Sequence, residues 1–334
     1  EMGYNRDKEY LPQLNLGMYY GISSHLPVYY CLYNGSITDK TDLISMMTEA
    51  KDLGIENVRF VMDRGFVTDD NFKYMQDNGY IFITALPGGR LDAASLIDSV
   101  KPNIRKAANR IDEYEVYGVC VATKIYDLDI NAHIYYDPEK QVADEKELYS
   151  RIGRLRTDLE KLSKKNKRAT RKYTDFFKVS ENKANTMSFE PDNDKIDERL
   201  SRAGFFILLS NEQGANSSWV LGTYRNRDVI EKSFDQFKNR LDFKRMRTHW
   251  DRTTEGKMFV GFLSLILRSY MMHMVKRDST VKHLTIEKVL MELKKIRTVT
   301  LSNLTRHLLP ITKIQRLILA GLGLSSDKML DSFI

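Results

Sequence analysis

Cysteine is nearly absent: Cys31 and Cys120 are the two in 334 residues. Two thiols cannot build a disulfide framework or a four-cysteine zinc site, and their scarcity points to a reducing compartment, the cytoplasm, with both as small buried apolar side chains. Long apolar runs are missing as well. The longest, Met258 to Leu267, stops at Arg268 after about ten residues, half of the roughly 20 that a membrane-crossing helix needs, so no membrane partner is expected. The opening Glu1-Met2-Gly3-Tyr4-Asn5-Arg6 has neither an initiator Met at its first position nor a charged-then-apolar leader pattern, and the chain reads as an internal piece of a longer protein. No repeat of fixed period, zinc motif or phosphate-cradling Gly-rich loop is visible. His133 and His273 lack ligand-spaced partners and read as structural or surface residues.

What is present belongs to a globular protein. Hydrophobic residues make up 42% and charged residues 29%, which excludes a disordered or collagen-like chain. The length suits two compact units or one core with a large insertion. Lys and Arg number 52 against 45 Asp and Glu, a net +7 that fits an anionic partner without requiring one.

Leu14 to Tyr20 and Leu26 to Tyr33 read as an antiparallel strand pair, followed by a helix whose Leu43, Met46, Met47, Ala50 and Leu53 recur at helical spacing until Gly54. Asn57 to Met62 reads as a buried strand ending at Asp63-Arg64-Gly65-Phe66. Thr68 then caps a short helix, and Tyr80 to Leu86 is a further strand before Pro87-Gly88-Gly89. The character changes until about Ala203: strands at Tyr114–Thr123 and Ile130–Tyr136, then a charged helix from Glu145 to Leu162. Eight basic residues and one acid lie between Lys161 and Lys178, either a solvated helix end or a phosphate-contacting surface. Gly204 to Leu209 resumes a buried strand, and Ser217-Ser218 caps a helix expected to run unbroken to about Leu241. The remainder is mostly helical, with Met258 to Val275 expected to be buried.

Along the helix after Ser217, Tyr224, Arg227, Glu231 and Lys238 fall near 0°, 300°, 340° and 320° at about 100° per residue, one polar stripe. Trp219, Ile230, Phe234, Phe237 and Leu241 fall between about 220° and 280° and form an adjoining apolar face able to dock on a sheet. The ordinary reading of the stripe is a solvated helix face whose Arg227–Glu231 pair contributes about 0.3 to 0.5 kcal/mol. Farther on, Arg245, Arg247, His249, Trp250 and Arg252 set basic residues around one indole. Such a Trp is more often packed core, and otherwise a platform on which a displaced base can stack.

The spacing of Tyr, two residues, Arg, three residues, Glu, six residues, Lys resembles the signature of the IS-four group of insertion-sequence transposases, and Tyr224 through Lys238 matches it at every fixed position. Asp63-Arg64-Gly65-Phe66 resembles the same group's second acidic motif, and Asn34 to Thr41 the segment before its first core helix. The element order is also similar to a ribonuclease-H-like core once a first strand is supplied.

That resemblance implies an α/β fold, a mixed sheet flanked by helices, with a strand-containing insertion before the last catalytic helix and a helical tail. Its parts would be core residues 1–86 and 204–257, insertion 87–203 and tail 258–334. It implies Asp63 and Glu231 as catalytic and metal-ligating carboxylates for two Mg²⁺ or Mn²⁺ ions. Tyr224, Arg227, Lys238, Arg245, Arg247 and Trp250 would contact DNA. The partners would be double-stranded transposon ends and target DNA, with a homodimer in the complex and a location at the prokaryotic nucleoid. The group's first catalytic Asp has no counterpart here, because no strand precedes Leu14 and Asp7 sits among Arg6, Lys8 and Glu9. The alternatives are therefore a DNA-binding remnant without catalysis, or a ribonuclease-H-like nuclease.

Overall fold

The computed structural model describes residues 14–21, 23–35, 39–55, 58–163, 170–181, 187–302 and 306–324. The chain begins with strands β1 (Leu14–Gly21) and β2 (Leu26–Asn34), helix α1 (Asp39–Asp52), β3 (Arg59–Met62), α2 (Asp69–Asp77) and β4 (Ile81–Ala85). Next come α3 (Leu91–Val100), β5 (Arg110–Ile111), β6 (Val116–Ile125), β7 (Leu128–Tyr136) and α4 (Pro138–Ser163). Then follow α5 (Arg171–Thr174), β8 (Phe177–Glu181), β9 (Met187–Pro191), α6 (Asn193–Leu200) and β10 (Phe205–Ser210). The last part holds α7 (Ser217–Arg225), α8 (Asp228–Asp235), α9 (Asp251–Arg277), α10 (Ile286–Lys294), β11 (Thr298–Thr300), β12 (Arg306–Leu308) and α11 (Lys313–Gly321). These elements form two compact units, Asp39–Arg225 and the discontinuous pair Glu1–Thr38 with Asn226–Ile334.

The continuous unit is built on a six-stranded sheet in the order β3-β4-β10-β7-β6-β5. β3 and β4 run parallel, and every other neighbouring pair is antiparallel. Its central strands are apolar on both sides because successive side chains point to opposite faces. Phe82, Ile134 and Leu209 face one core with Met47 of α1, Phe72 and Met75 of α2 and Ile97 of α3. Their neighbours Ile83, Tyr135 and Leu208 face a second core with Val220 and Leu221 of α7. Helices thus cover both faces, the ribonuclease-H-like α/β arrangement expected from the sequence. The strands β6 and β7, which lie within residues 87–203, are hydrogen-bonded into this same sheet. The segment from α4 to α6 has an apolar cluster of its own around Leu155, Leu159, Phe176, Phe177 and Ile196. There the buried Phe176 ring lies 5.1 Å from the Arg151 guanidinium and 4.4 Å from that of Arg199. Most of the basic run after Lys161 falls at residues 164–169, outside the described residues.

In the discontinuous unit the β1–β2 hairpin packs on α9. Met18, Phe237, Met258, Phe262 and Leu265 form the cluster, and the Tyr30 and Phe262 rings are 4.7 Å apart. The C-terminal helices gather around Val275, Val281, Leu284, Val289 and Ile318, with Arg268 and Glu287 paired at 2.9 Å.

Three expectations are corrected. The helix after Ser217 is not continuous: it stops at Arg225 and restarts at Asp228 as α8, which gives way to a π turn over Gln236–Arg240. Thr223 and Asn226 are weak helix formers, and Asn offers the backbone competing hydrogen bonds. Second, α9 is not buried over Met258–Val275, since Phe259, Val260, Leu263, Leu267 and Tyr270 are exposed. Third, Cys120 is exposed and Cys31 half-buried; Cys120 sits on a strand where alternate residues face outward.

His133 of β7 is fully buried, with Nδ1 3.1 Å from the Ser217 hydroxyl and Nε2 3.9 Å from the Cys120 sulfur. Burial alone lowers its pKa to about 4, from about 6.5 in the unfolded chain. Between those values the unfolded chain holds a proton that the folded chain excludes, so stability falls as pH drops from about 6.5 to about 4 and levels off below. We expect a loss of about 2 to 3 kcal/mol from this one group. It is measured as the difference in acid slope between the wild type and His133→Gln in urea unfolding at pH 7, 6, 5 and 4.5; parallel slopes would show that His133 carries no such term.

Candidate functional site

Asp63 stands at the carboxyl end of β3, the end of a parallel strand pair at which α/β sheets place ligands. Its Oδ1 accepts the Arg64 N–H at 2.7 Å and caps a single 3₁₀ turn, Arg64–Phe66. Its own carbonyl accepts the hydroxyl of the fully buried Thr84 at 3.3 Å, and buried Asn71 donates to the Phe66 carbonyl at 3.0 Å. The backbone that carries the carboxylate is therefore fixed from two sides, while the side chain is exposed.

The four signature residues divide between the two units. Tyr224 closes α7 in the continuous unit, half-buried against the cluster of Ile83, Tyr135, Leu208 and Val220. Gly222 lets that helix lie close: a Cβ there would come 2.5 Å from the Tyr114 hydroxyl. Arg227, Glu231 and Lys238 belong to the discontinuous unit. Arg227 Nη2 bonds Glu231 Oε1 at 2.9 Å, with the Arg side chain 23% exposed and the Glu side chain 62% exposed. The Glu231 carboxylate is open to water, so the pair adds little stability. The π turn widens the helix by one residue per hydrogen bond, and the Leu241 N–H reaches the Gln236 carbonyl at 3.0 Å. Lys238 therefore does not keep the phase that a regular α-helix would give it. It is exposed, and its ammonium lies 5.9 Å from the centre of the Phe234 ring.

Beyond the π turn, residues 242–250 form a basic loop. Lys244, Arg245, Arg247 and His249 are exposed, and Trp250 is 76% exposed at the N-cap of α9. The indole is thus not packed core, the commoner role of such a Trp. Asp242 and Arg247 both have positive φ, 57° and 51°, in the left-handed region that costs a side-chain-bearing residue about 1 to 3 kcal/mol. The loop keeps this shape because α9 holds it. Lys257 Nζ donates to the Met246 carbonyl at 2.6 Å, and the Thr248 and Thr254 hydroxyls meet at 2.6 Å. The Phe243 ring lies so close to Gly261 that a Cβ there would sit 2.2 Å from a ring carbon. Sequence reading overlooked Lys257, Gly261 and Phe243. The available signal was Gly261 inside a helical pattern, where a glycine costs about 1 kcal/mol and implies a packing reason.

As metal ligands, Asp63 and Glu231 supply the hard oxygens that Mg²⁺ or Mn²⁺ requires. They are two carboxylates in two separate units. Among the described residues no three of His, Cys, Asp and Glu gather as a metal-binding group. Donor chemistry fits the ions; donor number among the described residues of either unit does not.

The transposase DDE domain family matches residues 1–267, four-fifths of the chain, and the chain belongs to that family. No curated protein matches it. The match ends within α9, so α10, β11, β12 and α11 lie beyond it.

Gly261→Ala should displace Phe243 and with it the basic loop, costing about 1 to 3 kcal/mol as an overpacked contact. Thermal unfolding measures the cost, and a changed Trp250 fluorescence reports the loop. Unchanged values in both would mean that the Phe243–Gly261 contact does not position the loop.

Proposed function

We propose that this chain is a DNA-binding part of an insertion-sequence transposase of the IS-four group, and that its described residues grip DNA without completing a two-metal centre. The observation that carries this reading is Trp250, exposed at the head of α9 in a loop that presents Arg245 and Arg247. Basic side chains hold backbone phosphates, Arg as a bidentate fork and Lys as a point charge, and an exposed indole stacks on a base without regard to its identity. Lys238 adds a third backbone contact from the π turn. Arg227 would orient Glu231 and face a phosphate with its charged fork, and Tyr224 would approach with its hydroxyl while its ring stays packed. Double-stranded DNA is the partner, bound by two copies of the chain at the bacterial or archaeal nucleoid.

Binding to a duplex carrying an element's end, followed by fluorescence anisotropy, tests this. Trp250→Ala should weaken binding by about 1 to 3 kcal/mol. Arg245→Ala with Arg247→Ala should flatten the plot of log affinity against log salt by about two phosphate contacts. Wild-type affinity and slope in both variants would remove the proposal.

A second reading, a transposase that cuts and joins DNA, is favoured by Asp63 at the carboxyl end of a parallel strand and by the exposed Glu231 carboxylate. Two divalent ions would there activate a nucleophile and stabilise a leaving oxygen. Mn²⁺-dependent nicking of an element's end, lost in Glu231→Ala, would establish it in place of the first. Cut but never joined DNA would indicate a ribonuclease-H-like nuclease.

A further inference from the structure

Helix α9 is apolar on two opposite faces, and among the described residues only one of them is covered. With Phe259 set at 0° and about 100° per residue, the buried Met258, Gly261, Phe262 and Leu265 fall between about 200° and 300°. Phe259, Tyr270, Leu263, Leu267 and Val260, which are 43% to 63% exposed, fall at about 0°, 20°, 40°, 80° and 100°. A helix apolar all round is normally buried all round, and a coherent exposed stripe of this kind marks an interaction surface. The helix is also long and apolar enough to cross a bilayer by length and composition. Lipid is a poor fit nonetheless: the opposite face is packed on the β1–β2 hairpin, and Arg268, midway along, is held by Glu287. A charge at that depth is costly in a membrane.

The order of residues along the stripe indicates what covers it. Arg252, Gly256, Val260, Leu263, Leu267, Tyr270, Met274 and the C-cap residue Asp278 all fall between about 20° and 100°. Read from the middle outward, this series is self-complementary in the antiparallel sense. Leu263 meets Leu267, Val260 meets Tyr270, Gly256 leaves room for Met274, and Arg252 meets Asp278. A two-fold axis at the level of Leu265 brings every such pair together twice, which is the requirement of an isologous interface. Charge is opposed to charge at both ends and small to large inside them. A parallel copy would instead set Arg252 against Arg252.

We infer that α9 is the seam through which two copies of this chain pair, antiparallel, about a two-fold axis near Leu265. The inference concerns a face remote in character from the basic loop, and it stands whether or not the chain cuts DNA.

The test uses the full chain with Cys31→Ser and Cys120→Ser as background. Gly256→Cys and Met274→Cys together should give a disulfide-linked dimer on mild oxidation, and neither should do so alone. Within one copy the two positions are about 27 Å apart along the helix, too far for a bridge. A Cβ at Gly256 meets no atom within 4 Å, so that thiol is accommodated. In the wild type, sedimentation equilibrium should show a dimer, and Leu267→Glu should raise its dissociation constant about tenfold or more with an unchanged circular dichroism spectrum. Four results would overturn the inference. These are a monomer at every concentration, a dimer that tolerates Leu267→Glu, crosslinking by Gly256→Cys alone, and a monomer that floats with phosphatidylcholine vesicles.

Discussion

Because Gly261 has no side chain, the Phe243 ring can lie against the backbone of α9, and the placing of the basic loop in that unit depends on the contact. The Phe243 ring packs tilted, 4.4 Å between centroids, on Phe237, whose ring enters the cluster shared by β1, α9 and the π turn. One glycine thereby couples the turn that carries Lys238 to the loop that carries Arg245, Arg247 and Trp250. The positive φ of Arg247 is tolerated because the flanking residues are tied down at Met246 and Thr248. Such strained backbone tends to accumulate where side chains are presented for use.

The other unit solves a different problem. Its sheet has to hold Asp63 still while leaving its carboxylate in water. Burying β4, β10 and β7 on both faces makes a rigid slab, and Thr84 ties the end of β3 to it. The asymmetry between the two units is chemical as well as structural. Asp63 is held at the end of a sheet strand by the Arg64 N–H and the Thr84 hydroxyl, whereas the exposed Glu231 carboxylate is paired with the part-buried Arg227 guanidinium on a short helix.

Much of this was legible in the sequence, and the failures share a cause. The strands around Met62, Phe82 and Leu208 announce themselves as short apolar runs between turn residues, α1 by its period and α2 by its Thr68 cap. The interruption at Asn226 and the π turn escape notice because angular arithmetic presumes an unbroken α-helix, and a two-residue break or one wide turn leaves the composition unchanged. Helix α3 follows Pro87-Gly88-Gly89, residues that read as an end rather than a beginning. Trp250 and α9 mislead in opposite directions. Large apolar side chains are expected inside, yet the indole and one whole face of α9 are at the surface, and period alone cannot tell a helix covered on two sides from one covered on one. The roles of Lys257 and Gly261 depend on contacts with residues more than ten positions away, which no local pattern encodes.

The discontinuity of one unit has a consequence for the order of events during synthesis. Residues 39–225 form a continuous body that can close on itself as soon as it leaves the ribosome. The β1–β2 hairpin cannot, since its apolar face waits for Phe262 and Leu265. At about 5 to 20 residues per second that wait is on the order of ten to fifty seconds, with the hairpin's apolar face uncovered by α9. The β1–β2 hairpin is therefore the part of its unit most exposed to mispairing during synthesis, and a slow stretch of translation before α9 would lengthen that vulnerability.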